Sequence, residues 1–311
     1  MTVILTVTPN TALDLVLFVD HFAFGEMVRA KGVAEGMGGK GAVASWVLGQ
    51  LGTPSLATGL AAGATGRRMV AMLEAAGVQA DFIWVEGETR TNYILVRTAD
   101  GLHGMVSVDQ LRATAEDGRR LAAHVLSLLD RAEILLCGGS LPPELPVDWY
   151  APLIAEAKRR GILTVLDTSE RFLAANVAAL PEIIKPNAAE AATLLGRPVE
   201  SVAAAAEAAL ELQARGIATP IITLGAQGAV AATDEGVFFV PPLQVRVVNT
   251  AGAGDGFNAG LLRARLQGAD WAEALRWAVA VATAVLLTPG TGVCRPEDVQ
   301  ALYPQVRVER L

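Results

Sequence analysis

The sequence predicts an α/β chain: a three-layer α/β/α sandwich on a mostly parallel central sheet, with a small lid of β-strands. Three observations carry that prediction. From about Cys137 onward, short apolar runs alternate with Ala-rich helical stretches, the β-α-β rhythm of a sheet covered on both faces. Two earlier stretches, each made of two segments with no helix inside it, alternate apolar and polar residues, the pattern of a small sheet with one wet or partner-covered face. Gly-rich and polar clusters follow the apolar runs, where ligands gather at the carboxyl ends of parallel strands.

Taken in chain order, Met1-Thr2-Val3-Ile4-Leu5-Thr6-Val7 has no basic leader and reads as a first strand rather than a signal peptide. Leu13–Val19 with Met27–Glu35, and Asn92–Thr98 with Gly104–Val108, are the expected lid strands, so the lid spans about 13–35 and 90–108. Between them, Gly36-Met37-Gly38-Gly39-Lys40-Gly41 passes from a strand-like segment into a helix carrying Trp46, Val47, Leu48 and Leu51 that ends at Gly52. Exposed amides at that helix start and the ammonium of Lys40 suit an anionic or hydroxyl-rich ligand. Ile134–Cys137, Leu163–Leu166, Ile183–Ile184 and Ile221–Leu224 are expected strands; Trp149–Arg160, Ala188–Leu195 and Val202–Arg215 are expected helices. After those strands come Gly138-Gly139-Ser140, Asp167-Thr168-Ser169, Lys185-Pro186-Asn187 and Gly225.

Composition narrows the function. A net charge of −7 and a pI near 5.1 argue against nucleic acid or an anionic membrane surface as the main partner, so any anion binding is local. Cys137 and Cys294 lack the spacing of a disulfide framework or zinc site, which fits a reduced cytoplasm. The longest apolar stretch, near Trp277–Leu287, is too short for a membrane span.

The most informative segment is Asn249-Thr250-Ala251-Gly252-Ala253-Gly254-Asp255-Gly256-Phe257-Asn258-Ala259-Gly260. It follows an alternating apolar stretch (Val245, Val247, Val248) and runs into a helix-period segment (Phe257, Leu261, Leu262, Leu266), so a strand-to-helix turn is expected. Glycines at a helix N-terminus let peptide N–H groups approach an anion. An acid placed among those donors, Asp255, can take a proton from a hydroxyl while the amides hold charge on a transferring group. Phosphoryl transfer meets both conditions, although a glycine turn capped by Thr250 is the plainer alternative.

This run closely resembles the C-terminal signature of the PfkB carbohydrate kinase family, which has the ribokinase-like fold. Gly38-Gly39-Lys40-Gly41 resembles that family's sugar-binding signature, and Thr6–Asp14, Gly25–Ala30, Thr89–Asn92, Gly139–Pro143, Asp167–Ser169, Lys185–Asn187 with Glu190, and Thr223–Ala229 are similar to its 1-phosphofructokinase and tagatose-6-phosphate kinase branch. The resemblance implies a single ribokinase-like kinase domain over 1–311, nine-stranded or similar, with a lid commonly used as a dimer interface. It also implies ATP and Mg2+ as cofactors and a sugar or sugar phosphate as substrate. Asp255 becomes the catalytic base, with Gly252, Ala253 and Gly254 as the anion hole. Asp14, Gly38, Gly39, Lys40, Arg90, Asn92 and Ser140 fall to the substrate, with Arg90 and Lys40 suited to a phosphate. Lys185, Asn187, Glu190, Thr223, Gly225 and Gly228 fall to the nucleotide, and Asn187 and Glu190 reach the metal through water. Asn187 and Glu190 also have the spacing of an N-cap with a capping-box acid. Ser140 suits substrate contact or helix capping equally.

The chain departs from the family pattern at Val43, where the sugar signature has Asn, at Asp100–Ser107, which lacks an Asn-Glu-x-Gly-Pro stretch, and at Glu144 and Glu170, where Gly is usual. The alternatives are a kinase of an unphosphorylated sugar or nucleoside, or a weakly catalytic metabolite-binding regulator. A nicotinamide-binding reading of Gly39–Ala44 fails because no Asp or Glu occurs between Glu35 and Glu74 to hold a ribose.

Overall fold

The computed structural model of the chain describes residues 3–99, 101–108 and 111–311. Its early strands are β1 (Val3–Thr8), β2 (Ala12–Val19), β3 (Gly32–Gly38), β4 (Ser55–Ala61), β5 (Gln79–Ala80), β6 (Ile83–Trp84), β7 (Arg90–Arg97) and β8 (His103–Ser107). They are followed by β9 (Ala132–Gly138), β10 (Leu163–Asp167), β11 (Ile183–Ile184), β12 (Thr219–Thr223), β13 (Ala229–Thr233), β14 (Gly236–Val240) and β15 (Glu309–Arg310). The helices are α1 (Lys40–Gln50), α2 (Gly63–Ala75), α3 (Ala115–Leu128), α4 (Ala151–Arg159), α5 (Glu170–Asn176), α6 (Ala188–Leu195), α7 (Val202–Ala214), α8 (Ala253–Leu266), α9 (Trp271–Leu286) and α10 (Pro296–Leu302).

Among the described residues the main sheet has eleven strands, in the order β15-β14-β13-β12-β11-β10-β9-β1-β4-β5 with β6 beside β4. Pairing is parallel from β5 to β12 and antiparallel from β12 to β15, so a hairpin edge closes a parallel core. The period-two rule sets the layers. Ile4, Ile134 and Leu136 point to one core, shared with α1, α2, α8, α9 and α10. Leu5, Val7, Leu135 and Cys137 point to the other, under α3 to α7. Strands buried on both faces carry no exposed polar side, which is why they read as continuous apolar runs.

The lid is a separate four-stranded sheet, β3-β2-β7-β8. Its first hairpin partner begins at Gly32 and not at Met27, because Phe22–Lys31 make no ladder. Val16, Ile94 and Val96 are buried on its inner face, while Val33, Tyr93 and Val106 are exposed on the outer one. Asp100 lies outside the described residues. No helix among the described residues is long and apolar enough to cross a membrane. Cys137 and Cys294 are both buried free thiols.

Candidate active site

The segment expected as a strand before Gly252 is irregular from 241 to 252. Pro241-Pro242 ends β14, since proline cannot donate to a ladder, and the apolar residues beyond it line a cavity wall. Asn249 shapes the turn: its Oδ1 accepts from the Ala251 N–H at 3.0 Å and its Nδ2 donates to the Pro289 carbonyl at 3.1 Å. Gly252 is the N-cap of α8 with φ +85°, and a Cβ there would lie 2.6 Å from the Gly292 nitrogen. Only glycine fits both conditions. The N–H groups of Ala253 and Asp255 close onto the carbonyls of Thr250 and Gly252 at 3.4 and 3.1 Å. No backbone acceptor among the described residues takes the N–H groups of Gly252 and Gly254, which leaves them able to meet an anion.

A cavity of about 600 Å³ opens beside this turn. Its polar end gathers Lys40, Asp167, Lys185, Asn187, Glu190, Gly254 and Asp255 from five different elements or their flanking loops. Asp167, at the carboxyl end of β10, anchors the group. Its Oδ1 takes the Lys40 ammonium at 2.6 Å, and its Oδ2 takes Lys185 at 2.9 Å and the Asn258 amide at 2.6 Å. Burial would raise the Asp167 pKa, but the two ammoniums outweigh it and hold the group at about 2. Lys40 also reaches Glu190 at 3.4 Å; burial works against its charge, and the Asp167 and Glu190 carboxylates win, keeping it above the usual lysine value. Among the described residues Asp255 makes no ion pair. Burial, followed by repulsion from Asp167, pushes its pKa up to about 7.

Asn187 and Glu190 form the expected capping box on α6: the Asn187 side chain accepts from the Glu190 N–H and Glu190 accepts from the Asn187 N–H, both at 2.9 Å. Thr223, Gly225 and Gly228 line the same cavity. The cavity is also lined by the apolar residues Pro242, Leu243, Val245, Val279, Ala282 and Leu286, an apolar slot.

The other expected substrate residues lie next to this cavity, at the base of the lid. Asp14 is buried, accepts from Asn92 Nδ2 at 2.7 Å, and is raised to about 6 by burial against the opposing pull of Asn92, Thr291 and Arg90. Gly38 packs against the Asp14 carboxylate, and Gly39, with φ +87°, has Thr8 Cγ2 2.7 Å from where a Cβ would stand. Arg90 donates to Ser107 Oγ at 2.8 Å and to the Asn10 carbonyl at 3.3 Å. Ser140 caps no helix; its Oγ accepts from Asn10 Nδ2 at 3.2 Å. Lys40 is held by Asp167 and Glu190, with Asp255 near enough to act on its charge. Oδ1 of buried Asn10 and Oδ1 of buried Asn92 have no protein partner among the described residues, so this pocket offers polar atoms to a polar ligand.

Two features escaped the sequence reading. Asp167 stood out in the sequence as a polar residue after a strand and as part of a family-like Asp-Thr-Ser run, but not as the anchor of Lys40 and Lys185, which come from elsewhere in the chain. Val43 is 2% exposed and faces Gly292 in the core beneath the turn, outside the residues that line the large cavity. Glu144 lines a separate, shallower hollow with Glu88 and Arg112.

Comparison with known proteins agrees with this geometry. The model of the pfkB family of carbohydrate kinases matches residues 5–298. The 1-phosphofructokinase of Haloferax volcanii is 36% identical over 98% of each chain, and that of Rhodobacter capsulatus is 33% identical over 99% of this chain and 98% of its own. Phosphofructokinase-2 from Escherichia coli, solved in complex with substrates and products, superposes with a TM-score of 0.90 at 27% identity, covering 98% of this chain and 99% of that one.

Proposed function

The chain belongs to the pfkB family of carbohydrate kinases, and from that premise we propose that it transfers the γ-phosphoryl group of ATP to a hydroxyl of a sugar phosphate, in the manner of a 1-phosphofructokinase or tagatose-6-phosphate kinase. The observation that carries the reading is Asp255: a carboxylate with a raised pKa and no ion-pair partner among the described residues, lining a cavity that also holds two lysines.

The apolar slot takes the nucleobase, and Thr223, Gly225 and Gly228 let the ribose and phosphates run toward Gly254. Lys185, fixed by Asp167 and 3.4 Å from where a Gly254 Cβ would stand, meets the terminal phosphates together with Lys40. Asp14 and Asn92 hold sugar hydroxyls, while Arg90, with Ser107 and Ser140 nearby, takes the phosphate already on the sugar. Asp255 then accepts the proton of the attacking hydroxyl as the Gly252 and Gly254 amides hold charge on the group in flight.

Magnesium fits this chain as a water-bridged ion. Among the described residues no cluster of three acidic, His or Cys ligands exists, and Glu190, already engaged by its cap and by Lys40, offers only its remaining lone pairs. Bound that way, it would neutralise phosphate charge. We further read the chain as one kinase domain, acting in the reducing cytoplasm that its two buried thiols suit, and dimeric through the apolar outer face of the lid, which sedimentation velocity would test.

Measuring ADP release over fructose 1-phosphate, fructose 6-phosphate, tagatose 6-phosphate, ribose and nucleosides tests the function. Turnover led by fructose 1-phosphate is the expected result; tight binding without turnover on any of them would replace the kinase by a metabolite sensor.

A further inference from the structure

The inner face of the lid is a set of cross-strand rows. One row joins Gly36, Asp14, Asn92 and Ser107, the polar row at the lid base. The next joins Ala34, Val16, Ile94 and Met105, and the third joins Gly32, Phe18, Val96 and His103. His103 therefore shares a face with Ser107, four residues or about 13 Å along β8. At that distance it meets the body of the protein: His103 Nδ1 is 3.0 Å from Thr250 Oγ1. The adjoining Ala251 packs against the lid core of Val16, Ile94 and Val96.

Thr250 and Ala251 are the two residues that lead into the Gly252 turn, and the Thr250 carbonyl receives the Ala253 N–H. β8 is solvent-exposed along its length and among the described residues pairs with β7 alone, so it gains little from burial to hold it over the site. A side-chain bond at its far end holds the strand down at little entropic cost, because it adds to the Ala251 contact already in place.

We infer that His103 is a positioning residue that latches the lid to the phosphoryl-transfer turn, so that the pocket holding the sugar phosphate and the turn holding the transferring group are set as one unit. The bond forms with either tautomer, the hydroxyl donating to Nδ1 or accepting from Nδ1–H. Its function is geometric. Lid closure completes a catalytic constellation, and small misplacements of reacting groups lower rates steeply.

The inference rests on the kinase reading and is tested so that the two can fail separately. His103→Ala and Thr250→Val are each expected to lower kcat/KM for fructose 1-phosphate about 3- to 10-fold, the range of one hydrogen bond. The double variant should be no worse than the poorer single one, KM for ATP should stay within about two-fold, and Tm should be unchanged. His103→Asn, whose amide can stand near the Nδ1 position, should recover most of the loss. Additive losses, or full activity in both single variants, would overturn the latch. If the wild-type enzyme turns over no sugar phosphate, the kinase reading fails, and deuterium uptake then decides the latch alone. Peptides spanning 101–108 and 249–254 should both exchange faster in His103→Ala, and unchanged uptake in the second peptide would refute the inference.

Discussion

Replacing Asp255 with asparagine separates catalysis from stability, because the two respond in opposite directions. The unfolded carboxyl titrates near 3.8 and the folded one near 7. Below pH 3.8 both states are protonated and the residue is neutral toward folding. As pH rises, the unfolded chain ionises first, so a penalty on the native state accumulates and levels off above about 7. At about 1.4 kcal/mol per pH unit, that penalty is roughly 4 kcal/mol at pH 8 and roughly 2 kcal/mol at pH 5 as an upper bound. An isosteric neutral amide removes it. Asp255→Asn is therefore expected to raise Tm at pH 8 by about 3–10 °C, with less than half that gain at pH 5. The same variant should lower kcat by about 10³-fold or more while binding ATP as well as the wild type. In the wild type, kcat/KM for the sugar phosphate should fall tenfold per unit below pH 7, the value set by burial and Asp167. Differential scanning fluorimetry and coupled ADP release measure all three. A variant that keeps wild-type turnover refutes the base assignment, and one that melts lower at pH 8 refutes the electrostatic account of the site.

The remaining predictions concern the groups around that carboxylate. Asp167→Asn leaves Lys40 and Lys185 without their buried partner and should cost about 3–5 kcal/mol in urea unfolding; a loss under about 1 kcal/mol would show that the ammoniums find water or Glu190 instead. Gly252→Ala forces a side chain into φ +85° and within 2.6 Å of the Gly292 nitrogen, so activity should fall at least about 100-fold and stability by about 2–4 kcal/mol; a soluble, active alanine variant would mean the turn is not fixed. Chelating divalent cations with EDTA should weaken ATP binding at least tenfold, about 1.4 kcal/mol, in isothermal titration, and an unchanged affinity would remove the metal from the site.

How far the sequence revealed the site depended on separation along the chain. The Gly252–Gly254 turn, the Asn187–Glu190 cap and the parallel core are local patterns, each set by backbone angles or by the alternation of neighbouring side chains. Asp167 is different. Its importance comes from a lysine 127 residues earlier and an asparagine 91 residues later, and nothing in Asp167-Thr168-Ser169 distinguishes an anchor from a cap. The stretch from Val245 to Val248 misled for a related reason. Alternating apolar residues arise wherever one side of a segment is dry, and a cavity wall meets that condition as well as a strand does. The Pro241-Pro242 pair was the local signal against a ladder. The first lid hairpin shifted because Met27 and Val28 look like strand residues but have no neighbour to pair with until Gly32.

Two of the acids that line the cavity, Asp167 and Asp255, show why residue type alone does not name a base. Asp167 and Asp255 share one low-dielectric space, yet one lies at about 2 and the other at about 7. The difference follows from where the lysines reach: both ammoniums contact Asp167, and neither makes an ion pair with Asp255 among the described residues. A pair of acids driven apart in this way supports the proposal that the raised one, Asp255, accepts the proton. The same arrangement has a second consequence. Asp167 and Glu190 balance Lys40 and Lys185 in charge, so the cluster is not a strong positive sink for a triphosphate. In the proposed reaction, directed donors, in the form of glycine amides and lysine N–H groups, would then fix where the phosphates lie, and the proposed magnesium would supply the missing charge. A chain with a net charge of −7 can bind so anionic a ligand only by such local means.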